Sequence, residues 1–125
     1  MGLERVIVEG LQSLYKAIGS LGAKREIYVL FTGNKTADTG KSWCPDCVAA
    51  EPVIEKVLKE VDDGVFVYCH VGDRPTWKDP QNVFRTDPKL RLTGVPTLLK
   101  WGEQQRLGPE ECAKEDLVRL MFEDH

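Results

Sequence analysis

The chain has 125 residues, of which 42% are hydrophobic and 30% charged, and its formal net charge is −3. This length supports a core that needs no disulfide bonds, so we expect one domain over residues 1–125. The mild acidity argues against nucleic acid or an anionic membrane as a partner. No segment approaches the roughly 20 apolar residues of a membrane span.

The first third of the sequence alternates between strand and helix patterns. Residues Glu4–Val8 favour a short strand. Apolar residues at helical spacing then predict a helix over 11–21 that ends at Gly22. Residues Ile27–Phe31 are apolar throughout, which is typical of a parallel strand covered on both faces.

A second strand–helix unit follows in the middle of the chain. The polar segment Gly33–Ser42 predicts a long loop, and a helix is expected from Cys44 to Val61. Pro52 lies inside that helix and should kink its axis. Residues Val65–Val71 predict the next strand.

The last part of the sequence is mixed. Residues Gly72–Val95 are polar and contain several prolines, so we expect turns and one short helix there. Thr97–Trp101 predicts a strand, Gln104–Leu107 a short edge strand, and a final helix should start at Gly108-Pro109. The order is therefore β-α-β-α-β-α-β-β-α, an α/β fold with a mixed, mainly parallel sheet flanked by helices.

The motif Trp43-Cys44-Pro45-Asp46-Cys47 carries the strongest chemical signal. Two thiols three positions apart can close a disulfide and reopen it by thiol exchange. The start of a helix favours an anion, so the pKa of a thiol placed there falls toward neutrality. A strand, a loop, a CxxC motif and a helix in this order indicate a redox site.

Several segments together carry a family resemblance. They are KSWCPDC at 41–47, AEP at 50–52, GDRPTW at 72–77 and GVPT at 94–97. This combination resembles the thioredoxin domain-containing protein 17 family, also called thioredoxin-related or Clot-like proteins, within the thioredoxin superfamily. The resemblance covers nearly the whole chain. The four segments together are more specific to one family than a CxxC motif alone would be.

The resemblance implies a thioredoxin-like fold and a cytosolic thiol-disulfide oxidoreductase, and we expect a monomer. Such a protein reduces a selective set of protein or small-molecule disulfides, including cystine, with electrons from NADPH through thioredoxin reductase. Cys44 would be the attacking nucleophile and Cys47 the resolving thiol. The only redox group would be the Cys44–Cys47 disulfide, with no bound cofactor. Pro96 would be a cis-proline facing the pair, with Val95 and Pro96 contacting substrate.

One departure from ordinary thioredoxins concerns proton transfer. Those proteins carry a buried acid in the strand before the motif, and the matching position here is Leu30. Asp46 could relay the proton of Cys47 in its place, or it could be a solvated residue at the helix start. Its charge would also work against a nearby thiolate.

Two further motif residues have roles that the sequence leaves open. Pro45 fits the first turn of a helix and would pre-set the chain between the cysteines. Trp43 could shield the pair, contact substrate or serve only the fold. Farther along, Arg74, Trp77 and Lys78 could form a rim for acidic or small substrates, or a solvated loop.

Other readings of the cysteines remain. A zinc site would need Cys69, His70 or Cys112 as further ligands, but Cys69 and His70 are adjacent in a strand and so point to opposite faces. We therefore expect no metal and treat Cys69 and Cys112 as small buried apolar residues. The motif could also serve a glutathione-linked oxidoreductase, or a redox-sensing binding module without turnover.

Overall fold

A computed structural model describes residues 2–22 and 25–123. Its strands are β1 (Glu4–Glu9), β2 (Ile27–Thr32), β3 (Val65–His70), β4 (Thr97–Lys100) and β5 (Arg106–Leu107). Its helices are α1 (Leu11–Leu21), α2 (Pro45–Leu58), α3 (Arg74–Lys78), α4 (Val83–Thr86) and α5 (Glu115–Phe122). Met1, Ala23, Lys24, Asp124 and His125, which the single-domain prediction also covers, lie outside the described residues.

The strands form one mixed sheet in the order β1-β3-β2-β4-β5. β3 pairs in parallel with both β1 and β2, whereas β4 runs antiparallel to β2 and to β5. The predicted alternation of strands and helices is confirmed. The difference is that the segment before β4 holds two short helices, α3 and α4, where one was expected.

Strand β2 contributes side chains to two hydrophobic clusters, one on each face of the sheet. Ile27, Val29 and Phe31 belong to the cluster that includes Leu14 of α1. The intervening residues Tyr28 and Leu30 belong to a second cluster with residues of α2 and α5. Successive side chains of a strand point to opposite faces, so an uninterrupted apolar run is what a sheet covered on both sides requires.

Two helix boundaries differ from expectation. Helix α2 ends at Leu58, and Val61 instead donates its N–H to the Leu58 carbonyl in the turn that follows. The last helix begins at Glu115 rather than at Gly108, after a 3₁₀ turn over Glu111–Ala113. The Glu111 carboxylate accepts the Gly108 N–H at 2.9 Å, and the extended backbone at Lys114 then separates this turn from α5.

Both interpretations of Trp77, as part of a substrate rim or of a solvated loop, are wrong. Trp77 lies on α3 and is only 4% exposed. The Arg85 guanidinium stacks 4.0 Å above its ring and donates from Nε to its carbonyl at 2.8 Å. Arg74 and Lys78 stay exposed beside it.

The segment Gly33–Ser42 is a loop whose two arms are joined by backbone hydrogen bonds. A single antiparallel bridge joins Lys35 to Ser42, and the Thr36 N–H donates to the Lys41 carbonyl at 2.8 Å. The chain therefore folds back on itself and returns Ser42 to the end of β2. Within the described ranges, no helix combines the length and apolarity needed to cross a membrane.

Candidate active site

The two motif cysteines meet at the first turn of α2. Cys44 is the N-cap residue, with extended backbone angles, and its Sγ accepts the Cys47 N–H at 3.1 Å. An N-cap side chain usually offers an oxygen for this purpose, so a sulfur here does the capping. Pro45 occupies the first helical turn, where its missing N–H costs no hydrogen bond.

The cis-proline segment closes the site from the other side. The Val95–Pro96 peptide bond is cis, as expected. The Val95 carbonyl oxygen lies 3.5 Å from Cys44 Sγ. Both motif cysteines are free thiols, and each is only 4% exposed. The structure thus brings Cys44, Cys47, Val95 and Pro96 together, as the sequence predicts.

The pair of thiols ionises as a unit. The pKa of Cys47 is lowered to about 7, chiefly because the Cys44 thiol donates a hydrogen bond to it. Burial opposes this shift, while the Thr32 hydroxyl, the Gly33 N–H and the Ser42 hydroxyl support it. The pKa of Cys44 is raised, first by that same hydrogen bond, then by burial and by the charge on Cys47. The lowered pKa therefore belongs to Cys47, and the expectation that the pKa of the first thiol, Cys44, falls toward neutrality is wrong. One proton is shared between the two sulfurs near neutral pH.

Asp46 lies on the exposed side of the first helical turn. Its negative charge raises the pKa of Cys44 further. The structure thus supports the predicted opposition between this carboxylate and a thiolate at Cys44. The predicted relay of the Cys47 proton by Asp46 stays a prediction.

The Trp43 side chain anchors loops beside the motif. Its indole Nε1–H donates to the Gly72 carbonyl at 2.9 Å, and the ring is half-buried. The ring lies so close to Gly33 that a Cβ there would sit 2.6 Å from the indole Cε2. A structural role for Trp43 is therefore present in the fold, and contact with substrate stays a prediction.

Asn34 is a site residue that the sequence analysis missed. Its side-chain oxygen accepts the Gly72 N–H at 2.9 Å, and its own N–H donates to the Gly72 carbonyl at 3.0 Å. Its carbonyl accepts the Trp43 N–H at 3.3 Å. Asn34 thus joins the end of β2, the turn after β3 and the residue before Cys44. The sequence placed Asn34 only within the polar loop Gly33–Ser42.

A cavity of about 130 Å³ lies behind Cys47. Its lining includes Leu30, Thr32, Ser42, Tyr68 and His70. Leu30, which the resemblance matches to the buried acid of ordinary thioredoxins, is 4% exposed and packs in the core against α2. Neither Thr32 nor Ser42 was given a role from the sequence, although Ser42 lies in the KSWCPDC segment.

The other two cysteines stand apart from this pair. Cys69 and Cys112 are fully buried, and burial raises the pKa of each to about 12. The Cys112 thiol lies 3.5 Å from the Leu107 carbonyl, to which it donates. Among the residues that the structure describes, no three His, Cys, Asp or Glu side chains are grouped to hold a metal ion.

We predict that Gly33→Ala destabilises the protein by about 1–3 kcal/mol, because the new methyl group would overlap a held indole ring. Its contacts would be 2.6 Å and 2.8 Å to Trp43 and 2.9 Å to Ser42 Oγ. The measurement is the free energy of unfolding in urea. Gly19→Ala is the matched control: it lies in α1 with nothing within 4 Å, and should gain about 0.5–1 kcal/mol. Equal stability of the two variants would contradict the close packing of Trp43 on Gly33.

Comparison with known proteins places these features in a family. The family model described as "Thioredoxin domain-containing protein 17-like, thioredoxin domain" matches residues 7–124. Thioredoxin domain-containing protein 17 of Danio rerio is 52% identical over 120 residues, which cover 95% of this chain and 94% of that protein. Thioredoxin-like protein Clot of Arabidopsis thaliana is 49% identical over 96 residues, covering 76% of this chain and 72% of that protein.

A solved structure supports the fold independently. Reduced thioredoxin pre-protein of Schistosoma mansoni superposes with a TM-score of 0.57 at 17% identity, covering 97% of this chain and 99% of that one. At this identity the likeness speaks for the fold alone, and it confirms the predicted thioredoxin-like α/β class. With the family match over residues 7–124, it follows that the chain belongs to the thioredoxin domain-containing protein 17 family of the thioredoxin superfamily.

Proposed function

We propose that the chain is a thiol-disulfide oxidoreductase that reduces a selective set of protein or small-molecule disulfides, cystine among them, through Cys44 and Cys47. The thioredoxin-like fold favours oxidoreductase chemistry in general. The observation that carries the proposal is the hydrogen-bonded pair of free thiols at the start of α2, with the pKa of Cys47 lowered to about 7. We further propose that the protein acts as a cytosolic monomer without a bound cofactor, and receives electrons from NADPH through thioredoxin reductase.

The first step is attack by Cys44. When the shared proton moves onto Cys47, the charge rests on Cys44 Sγ, which already accepts the Cys47 N–H at 3.1 Å. The Cys44 thiolate attacks one sulfur of the substrate disulfide and forms a mixed disulfide. The other substrate sulfur leaves as a thiolate and takes a proton from solvent.

The second step is attack by Cys47. Its thiolate displaces the remaining substrate sulfur from Cys44, which closes the Cys44–Cys47 disulfide and releases the second substrate thiol. The step is intramolecular, and the helix turn that joins the two residues holds their sulfurs together. Two electrons have passed from the dithiol to the substrate, and thioredoxin reductase restores the dithiol.

Substrate contact is proposed for the residues that flank Cys44. Val95 and Pro96 lie directly across from it, with the Val95 carbonyl 3.5 Å from Cys44 Sγ. A disulfide that reaches this sulfur must therefore pass their backbone. Trp43 uses its indole N–H to hold Gly72, so the ring can offer a substrate only apolar surface.

We predict that Cys44→Ser lowers turnover by more than about 100-fold, because a hydroxyl is far less acidic and less nucleophilic than a thiol. The measurement is NADPH oxidation with purified thioredoxin reductase and cystine or insulin. Cys69→Ala is the matched control, since it removes a buried cysteine of β3 outside the motif and should keep turnover. Turnover that survives in Cys44→Ser would overturn the assignment of the nucleophile.

The same assay separates the alternatives to this function. Turnover that depends on glutathione and its reductase would instead assign a glutathione-linked oxidoreductase. Reversible oxidation of the pair without turnover by either system would assign a redox-sensing binding module.

For Asp46 we propose a relay that carries the proton of Cys47 to solvent, and we predict opposite effects of Asp46→Asn on the two steps. Attack by Cys44 should quicken about two- to threefold at low ionic strength, because a charge that raises the pKa of Cys44 is removed. Resolution by Cys47 should slow. Both steps can be followed by stopped-flow reaction with a chromogenic disulfide across pH. Rates that match the wild type at every pH would rule out a role for Asp46.

A further inference from the structure

A polar shell surrounds Cys47 on the side away from Cys44. In the register of the sheet, Leu30 lies beside Tyr68 and Thr32 beside His70, so these four side chains share one face. That face turns toward the first turns of α2, and all four residues line the cavity behind Cys47. Leu30 fills the place of the usual buried acid, and Thr32 comes one rung nearer the end of the strand.

Ser42 completes the shell from the returning loop. Its Oγ accepts the Cys44 N–H at 3.1 Å, so its own hydroxyl proton is free to point toward Cys47. Thr32, Gly33 and Ser42 line the same cavity as Cys47. The Thr32 hydroxyl, the Gly33 N–H and the Ser42 hydroxyl each favour the lowered pKa of Cys47, so three donors from the end of β2 and its loop lie around one sulfur.

These donors matter most after the substrate has bound covalently. In the mixed disulfide, Cys44 has no thiol proton, so the contact that most favours a Cys47 thiolate in the reduced protein is lost. The contacts from Thr32, Gly33 and Ser42 do not involve Cys44 and remain. They are thus in place when Cys47 must attack.

We propose that the Thr32 and Ser42 hydroxyls hold Cys47 as the attacking thiolate during resolution of the mixed disulfide, an inference that rests on the proposed function. They favour the thiolate by donating hydrogen bonds to it, whereas a buried acid would accept its proton. The proton of Cys47 passes to solvent, and Cys47 Sγ bonds to Cys44 Sγ. The bond between Cys44 and the substrate sulfur breaks, and that sulfur leaves with the electron pair. Asp46, on the exposed side of the turn, would accept a proton, whereas the hydroxyls donate to the thiolate.

Other titratable groups also face Cys47. They are Cys44, Asp46 and Glu51 of the motif and α2, Lys35 of the loop, Tyr68 and His70 of β3, and Cys112. Lys35 and Glu51 pair at 4.0 Å with about half of each side chain exposed, so solvent screens them. Burial raises the pKa of Cys112 to about 12, which keeps it neutral over the range of interest. The His70→Gln variant removes the imidazole.

The experiment isolates the resolution step by a pH jump. Reduced protein reacts at acid pH with a disulfide whose thiol product is coloured, which leaves the mixed disulfide on Cys44 while Cys47 is protonated. A jump to values between about pH 5 and about pH 9 then starts resolution, and release of the coloured thiol gives its rate. The variants are Thr32→Val, Thr32→Ser and Ser42→Ala, with Thr86→Val in α4 as the matched control. A parallel set of these variants in His70→Gln lacks the imidazole.

For Thr32→Val we expect the midpoint of the pH–rate profile to rise by about one unit, which slows resolution about tenfold below that midpoint. Thr32→Ser should restore the wild-type profile, Ser42→Ala should shift it in the same direction as Thr32→Val, and Thr86→Val should leave it unchanged. The shifts should persist in His70→Gln.

Wild-type resolution with an unshifted midpoint in both Thr32→Val and Ser42→Ala would overturn the role of the hydroxyls while leaving the proposed function intact. A shift that disappears in His70→Gln would assign the effect to the imidazole and overturn it as well. Failure of the wild-type protein itself to release the second thiol would instead refute the proposed function. If Thr32→Val acted only by disturbing the structure, it would also slow formation of the mixed disulfide and would leave the midpoint of the pH–rate profile for resolution unchanged. That result would also count against the proposal.

Discussion

The hydrogen bond from the Cys47 N–H to Cys44 Sγ is the interaction on which the site depends. A helix must satisfy its first N–H groups, and here a sulfur rather than an oxygen does so. The same turn holds the second sulfur close enough to share a proton with the first. One turn of backbone therefore caps α2, lowers the pKa of Cys47 and holds the two sulfurs close enough to form a disulfide.

The rest of the fold keeps that turn in place. Strand β2 ends next to this turn. The loop after β2 folds back so that Ser42 Oγ accepts the Cys44 N–H. Asn34 and Trp43 both bind Gly72, so the segment before Cys44 is tied to the turn after β3. Because these bonds run between segments far apart in sequence, the site can keep its shape without a disulfide or a metal.

Leu30 gives the site its distinctive chemistry. A buried carboxylate costs free energy unless it is paired, and this chain avoids that cost with an apolar residue that packs against α2. In the mechanism that we propose, stabilisation of the Cys47 thiolate then falls to neutral donors that line the same cavity, Thr32 and Ser42. Neutral hydroxyls favour a thiolate without adding a second charge that would repel it.

Much of this could be predicted from the sequence, because the signals were local. The apolar run Ile27–Phe31 and the CxxC spacing each lie within a few residues. The cis-proline came from the family resemblance rather than from its local pattern. The contacts that could not be predicted join distant segments. Trp77 is buried because Arg85 of another helix covers it, and Ser42 reaches Cys47 only because the loop folds back.

The shared proton of the pair can be tested directly by NMR titration of protein labelled with ¹³C at the cysteine Cβ, which reports on each sulfur separately. We expect a first titration at Cys47 with a pKa of about 7, in place of the 9.0 of an ordinary thiol. The signal of the Cys44 Cβ should change over the same pH range. A lowered pKa means that the charge appears as pH rises through 7 and disappears below it. Cys69 and Cys112 should stay silent until about pH 12. Independent titration of Cys44 and Cys47, each near 9.0, would contradict the account.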